Sequence, residues 1–462
     1  MCELILDCRV MPVMTRLWGC GACKERGMNE ANAFGEDVKF SPWWWEWAPR
    51  APRSESELPV ETEIAVVGSG FTALSAALEL CRAGRQVTLF ESGPPGHGAS
   101  SRNGGQVGSG NQRFSVARMN ELFGDTHARE LLQEGVRALD FLATFIESED
   151  IDCHFRRVGR YRGAIRPSHF EPMVRDHEAL AKVTGVEFQV VPKSEQHAEI
   201  GTDFYHGGVV LPGDGSLHPA LYHQGLLERV EQAGGRVVPF TPVTAFRRER
   251  QRMVLSTTRG EVSAGDVVVA TNGYTGPATP DYAARVVPVP SAIIATEPLD
   301  KELMQTLMPR NRVIGETRRV FYYYRACPER RRILFGGRNA KVSEATRWQD
   351  FSHLYRGMVE IFPQLAGVKV THCWTGYTGY TRDTFPHTGS TDRLHYALGY
   401  CGSGVARATY LGFKLAERLL GRAGATTAWD ELVFRRFAFP AASRAFLPAA
   451  VGWYRLRDRF DF

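Results

Sequence analysis

Gly68, Gly70, Ala73 and Glu91 are spaced as a phosphate-cradling turn followed by a distant acid. Gly68 permits a tight turn, and Gly70 lets the backbone approach a pyrophosphate. Ala73 adds only a methyl where a helix packs on a strand. Phe71 and Thr72 open that helix, whose free N–H groups and dipole favour an anion. Glu91 can accept hydrogen bonds from an adenosine ribose and would repel a 2′-phosphate. A second stretch, "ESGPPGHGASSRNGGQVGSG" from Glu91 to Gly110, is too glycine-rich for a strand or helix and too polar-specific for a linker. Its glycine N–H groups and the hydroxyls of Ser100 and Ser101 suit phosphate oxygens. Arg102 supplies charge, and Asn103 supplies donor and acceptor together.

These residues need a strand, a helix and a second strand to position them. Ile64 to Val67 is a β-branched run, and Leu74, Ala77, Leu78 and Cys81 follow at i, i+3, i+4 and i+7. Gly84 suits a helix C-terminus, and Gln86 to Phe90 suits the second strand. The unit is a βαβ dinucleotide site, and by itself it leaves NAD and FAD open.

The composition bounds the rest. The chain has 462 residues, 43% hydrophobic and 23% charged, with a net charge of +5. That excess is too small and too evenly spread for nucleic acid. No run is expected to cross a membrane; the best candidate, Ile64 to Cys81, contains two spaced glycines and Glu79. Nine scattered cysteines read as reduced thiols in a cytoplasmic protein. Cys20 and Cys23 form a C-x-x-C near Cys2 and Cys8, but no second ligand pair follows at finger-like spacing, so no metal site is expected. Residues 1–40 are expected to be a disordered leader without a signal-peptide core, and Met14 and Met28 are alternative starts. Trp43, Trp44, Trp45 and Trp47 should clip an N-terminal arm onto the body, followed by a Pro/Ser-rich linker.

Taken together, "GSGFTALSAALEL", "VTLFES" and "GASSRNGGQ" resemble the FAD-dependent D-amino acid oxidase/sarcosine oxidase superfamily, nearest its gamma-glutamylputrescine oxidase-like bacterial amine oxidoreductases. The resemblance implies an α/β fold in which a Rossmann-like FAD-binding domain is interleaved with an antiparallel-sheet substrate domain. After the leader, the expected layout is FAD domain 41–150, substrate domain 151–205, FAD domain 206–280, substrate domain 281–370, and FAD domain with tail 371–462. It implies FAD contacts from Gly68, Gly70, Phe71, Thr72, Ala73, Glu91, Ser92, Ala99, Ser100, Arg102, Asn103, Gly104 and Gly105. Further contacts are implied for Val243, the Thr271-Asn272-Gly273 turn, Gly376, and the second glycine loop at Gly402, Gly404 and Val405. The helix starting there would turn its positive end toward the reduced flavin.

The resemblance makes Trp374, Tyr377 and Tyr380 the cavity candidates of a flavin-edge motif to which Asp383, Pro386 and His387 also belong. On the expected strand Phe321 to Arg325, Tyr322 and Tyr324 share one face and Tyr323 the other. Tyr322 and Tyr324 are taken as the cavity face of a hairpin turning at Cys327 to Arg330. Three departures refine the picture. Thr378 stands where D-amino acid oxidases carry a carboxylate-clamping arginine, which disfavours simple α-amino acids. Gly376 stands where monomeric sarcosine oxidases carry the cysteine that binds flavin, and Cys373 is three residues off, so FAD is expected to be non-covalent. The segment "SAIIATEP" has no lysine of the kind that assists oxygen.

The implied reaction takes hydride from the carbon beside a neutral primary or secondary amine to flavin N5, and the imine then hydrolyses. Oxygen is the expected acceptor. The alternatives are a dehydrogenase of an N-methyl or cyclic amino acid that feeds an electron carrier, and a redox-silent FAD scaffold. The basic, aromatic tail is expected to pack on the FAD domain, since Pro440 and Pro448 interrupt any long membrane-surface helix.

Overall fold

The computed structural model describes residues 30–50, 56–339, 347–438 and 447–460. Near-continuous apolar runs form the parallel centre of one sheet, as strands buried on both faces require. Its path runs through strands His387–Thr391, Leu394–Leu398, Gly260–Val269, Glu61–Val67, Val87–Phe90 and Arg236–Val238. A meander of Val243–Glu249 and Arg252–Thr257 pairs onto Gly260–Val269. The expected βαβ unit is present, with helix Phe71–Arg82 between Glu61–Val67 and its parallel neighbour Val87–Phe90. Helix Gly404–Leu419 packs across that helix, and the Ser75 hydroxyl donates to Thr409 O at 2.7 Å.

The second sheet has eight strands, in the order Val370–Tyr380, Val287–Thr296, Ile333–Arg338, Tyr323–Ala326, Val313–Glu316, Arg160–Gly163, Gly208–Leu211 and Gln189–Val191. It is antiparallel except where Val313–Glu316 runs beside Arg160–Gly163. The expected hairpin closes at Cys327 to Arg330, where Arg330 N donates to Cys327 O.

Hydrogen bonding moves several expected boundaries. Gly208–Leu211 pairs with Arg160–Gly163, so residues from 206 do not all belong to the FAD half. Val370–Tyr380 pairs along Val287–Thr296, so the segment from 371 starts in the second sheet. The leader expected over residues 1–40 falls mostly outside the described residues, as do its C-x-x-C and linker residues 51–55. From residue 30 onward the leader is ordered: Ala33 and Phe34 are buried, and Phe34 stacks on Trp348 at 5.6 Å. Of the tail, Phe434 packs on the first sheet and stacks on Tyr396, but the terminal helix departs from expectation. Helix Leu447–Phe460 packs on the second domain, where the Asp458 carboxylate accepts the N–H groups of Arg319 and Val320. Pro448 falls in the first turn of that helix, where its missing N–H costs nothing. Among the described residues no helix is long and apolar enough to cross a membrane, and no cluster could hold a metal ion.

Candidate active site

Between the two sheets lies a cavity of about 630 Å³. One end is a backbone cradle. Gly68 has φ +101°, a conformation L side chains rarely adopt, and a Cβ there would stand 3.2 Å from Ala270 O. A Cβ on Gly70 would stand 2.9 Å from the Ser100 hydroxyl. That hydroxyl accepts Phe71 N–H at 3.0 Å, occupying one helix-start donor as a phosphate oxygen would. Gly68, Gly70, Phe71, Thr72, Ala99 and Ser100 all line this end. The Glu91 carboxylate accepts from Ser69 N (2.9 Å) and Ser92 N (2.7 Å), which holds it at the cavity wall with Ser92 and Val243 nearby. Thr271, Asn272, Gly402, Gly404 and Val405 line the far side, and Asn272 Oδ1 accepts Gly399 N at 2.9 Å. A space that a side chain would close, set against helix-start donors and a strand-end acid, fits a dinucleotide flavin.

The polar residues of the glycine-rich loop line the cavity but spend many of their bonds on shaping it. Asn103 Nδ2 donates to Ser100 O at 2.9 Å, and its Oδ1 accepts Gly105 N at 2.8 Å. Arg102 donates to His97 O and to Thr375 O, and lies 4.8 Å over the Trp45 ring. Three indoles fasten this loop, two from outside and one from the cavity side. Trp44 Nε1 donates to Asn103 O (2.8 Å), Trp45 Nε1 to the Ser101 hydroxyl (2.9 Å), and Trp374 Nε1 to Arg102 O (2.7 Å). The arm therefore clips onto the body, and its point of attachment is the glycine-rich loop. Trp44 and Trp47 also pack on His218, whose buried ring caps helix Pro219–Gln232 by accepting Leu221 N–H. Burial pulls the His218 pKa down to about 3.

The second sheet roofs the other end. Register decides which side chains face inward. Trp374 pairs with Ile293, Gly376 with Ser291, Ile293 with Gly336, and Gly336 with Tyr323. One face therefore carries Trp374, Gly376, Thr378 and Tyr380, then Ser291 and Ile293, then Arg338, then Tyr323, and all of these line the cavity. Gly336 leaves the space that the Tyr323 ring occupies. The Tyr323 hydroxyl is 2.8 Å from the Ser291 hydroxyl, and burial raises its pKa. Tyr377 reaches the wall from the sheet edge, packed edge-on to Tyr274 at 5.5 Å.

The remaining expected residues stand behind the wall. Tyr322 and Tyr324 alternate as expected but occupy the core face, which corrects their assignment to the cavity. Tyr324 is fully buried, stacks on Phe335 at 5.1 Å and meets the Tyr205 hydroxyl at 2.8 Å; Tyr322 packs on the same phenyl ring. Apolar helices behind the sheet claim that face, and Tyr323 is the tyrosine turned inward. His387 is also withdrawn: its Nε2 bonds Asp383 at 3.0 Å and its ring stacks on Phe434 at 4.4 Å. Ala73 is core packing. Gly105 O accepts from the buried Arg325 at 2.9 Å, and Gly273 backs onto the Tyr377 backbone. Sequence reading named Tyr380 beside the cavity but passed over Tyr323, Ile293, Ser291 and Arg338. The signal available for them was the Gly336-Gly337 pair inside a strand, a mark of close approach.

Fold and cavity together define a protein of the dinucleotide-binding α/β class with its cavity between two sheets. Residues 63–418 match the family described as FAD dependent oxidoreductase (DAO), and the chain belongs to that family. The enzyme uses FAD and acts on C–N bonds of the amine or amino acid type. Among its relatives is the "Probable oxidoreductase OrdL" of Rhizobium meliloti, 32% identical over 87% of this chain and 93% of that protein. Gamma-glutamylputrescine oxidoreductase of Escherichia coli is 30% identical over 89% of this chain and 96% of that protein. The glycine oxidase of Geobacillus kaustophilus has the same fold, with a TM-score of 0.69 at 19% identity, covering 82% of this chain and 99% of that one.

Proposed function

We propose that the protein oxidises a C–N bond of a primary or secondary amine, of the gamma-glutamylputrescine type, to an imine that hydrolyses, with oxygen as the electron acceptor. The observation that carries this reading is the aromatic roof of Trp374, Tyr323, Tyr377 and Tyr380, with Thr378 donating to Val289 O rather than offering a cation. When bound, FAD supplies the two-electron acceptor for the C–H bond beside nitrogen. The chain's own part is to place and dry that bond. Ile293 and Trp374, both nearly fully buried, exclude water, which favours the neutral amine. The indole N–H of Trp374 is spent on Arg102 O, so the ring is locked as a wall. Gly68, Gly70, Ser100 and Glu91 are the cofactor residues of this reading.

Cofactor attachment is taken as non-covalent, since Cys373 is buried in the core behind the roof, where burial raises its pKa. A cytoplasmic setting is supported by the described cysteines, all of them free and buried. The relative from Escherichia coli supports the amine class by its name alone. The test is the visible spectrum of the purified protein under nitrogen, before and after adding gamma-glutamylputrescine and a panel of small amines. Bleaching by one of these amines, followed by peroxide on admitting air, is expected. Bleaching that only an artificial dye reverses would assign an electron carrier as acceptor. Flavin that no amine bleaches would overturn the reading.

A further inference from the structure

Among the described residues three arginines line the cavity, and two are already engaged. Arg160 is paired with Asp214 at 2.6 Å and also donates to the Gln106 carbonyl, while Arg102 is spread over backbone oxygens and the His97 ring. Arg338 differs. It donates to the Tyr380 hydroxyl and lies 4.5 Å over the Tyr380 ring, and among the described residues no carboxylate lies within ion-pair distance of it. Arg113, exposed, lies 5.4 Å over the same tyrosine and likewise has no carboxylate at ion-pair distance among the described residues. Two guanidinium groups thus flank one ring without a counter-ion among the described residues. Such a pair repels itself and attracts an anion, and a guanidinium fork matches a carboxylate in geometry.

We infer that Arg338, with the Tyr380 hydroxyl beside it, binds a carboxylate on the substrate amine, and that Arg113 draws that anion toward the cavity. The inference rests on the amine-oxidising reading and adds a second recognition point to it. Register gives the spacing. Arg338 pairs with Ser291, and Ser291 with Gly376. With strands roughly 4.8 Å apart, the Arg338 backbone stands about 10 Å from that of Gly376. The Arg338 guanidinium spans that gap to the Tyr380 hydroxyl, two residues beyond Thr378 on the edge strand, so the carboxylate is held over that strand. An amine acylated by the side-chain carboxyl of an amino acid carries such a carboxylate.

The experiment compares gamma-glutamylputrescine with its α-carboxamide, which lacks only the negative charge, and titrates glutarate as a non-oxidisable carboxylate read by perturbation of the flavin spectrum. The native enzyme should favour the acid in kcat/KM by about 10- to 100-fold, as loss of a charged hydrogen bond predicts. Arg338→Met should erase the preference through KM and abolish the glutarate perturbation, and Arg338→Lys should restore part of both. A native enzyme indifferent to the charge, or a variant that slows both substrates equally, would overturn the inference. So would a variant that binds glutarate normally and only slows flavin reoxidation by oxygen. Should Arg338→Met not retain FAD, Arg338→Lys and the native glutarate titration decide. If no amine bleaches the flavin, the amine reading fails, while glutarate binding still reports on Arg338.

Discussion

The two ends of the cavity are built by different means. The end proposed to hold the nucleotide is written in backbone: a glycine with positive φ, helix-start N–H groups and a strand-end acid, all within residues 68–105. The roof is written in side chains contributed by four strands between residues 287 and 380, and no short segment contains it. Backbone sites depend on local conformation and tolerate little change. Side-chain sites depend on register, where a shift of one residue would exchange the faces.

The largest effect should come from attacking the backbone site. Gly68→Val forces a β-branched residue into φ +101° against Ala270 O, and the purified protein is expected to lose its flavin absorbance. A variant that kept stoichiometric FAD would mean that the turn is not the cradle. Next in size is Trp44→Ala. This residue is fully buried and joins the two ends through Asn103 O, so stability should fall by about 3–5 kcal/mol in urea unfolding. Trp44→Phe keeps most of the packing but not the N–H. It should loosen FAD more than it lowers the unfolding midpoint of the apoprotein.

The junction between arm and helix should also respond to acid. The pKa of His218 is about 3 in the folded protein against 6.5 for a free imidazole, because burial penalises the charged ring. Below pH 6.5 the unfolded chain takes up a proton that the folded one refuses. Stability is therefore full above pH 6.5 and is lost as pH falls toward 3, at up to about 1.4 kcal/mol per pH unit from this group. Urea midpoints measured from pH 7 to 4 should fall less steeply for His218→Asn than for the native protein. Equal slopes would remove His218 from the account.

The smallest effect tests which face of the roof is which. Tyr323→Phe deletes the hydroxyl that meets Ser291, and kcat/KM should fall by about fivefold, the value of one hydrogen bond. Tyr324→Phe breaks a buried pair with Tyr205 and should cost stability, leaving kcat/KM within about twofold. The reverse pattern would put the cavity on the opposite face.

The contrast explains what could be read early. The βαβ unit, the glycine-rich loop and the glycines before helix Gly404–Leu419 announce themselves, because turns and helix starts impose residue types at fixed spacing. Within that loop, the sequence suggested ligand roles for Arg102 and Asn103. Their bonds to Thr375 O and Ser100 O show that shaping the loop takes up much of their hydrogen-bonding capacity. Alternation correctly separated Tyr323 from Tyr322 and Tyr324, but alternation has no sign. Only the helices covering the far side of the sheet decided that Tyr322 and Tyr324 turn away.

The sequence by itself determined a dinucleotide-binding βαβ unit and its glycine turn, because those rest on local conformational rules, while family and FAD came from its resemblance to known proteins. Tertiary structure decided the rest. It turned the tryptophan arm onto residues 101–103, sent His387 to Asp383 and Phe434, and brought Arg338 to Tyr380 across three strands. Those placements follow from strand order and from which face the core buries, and neither is encoded within any single stretch of chain.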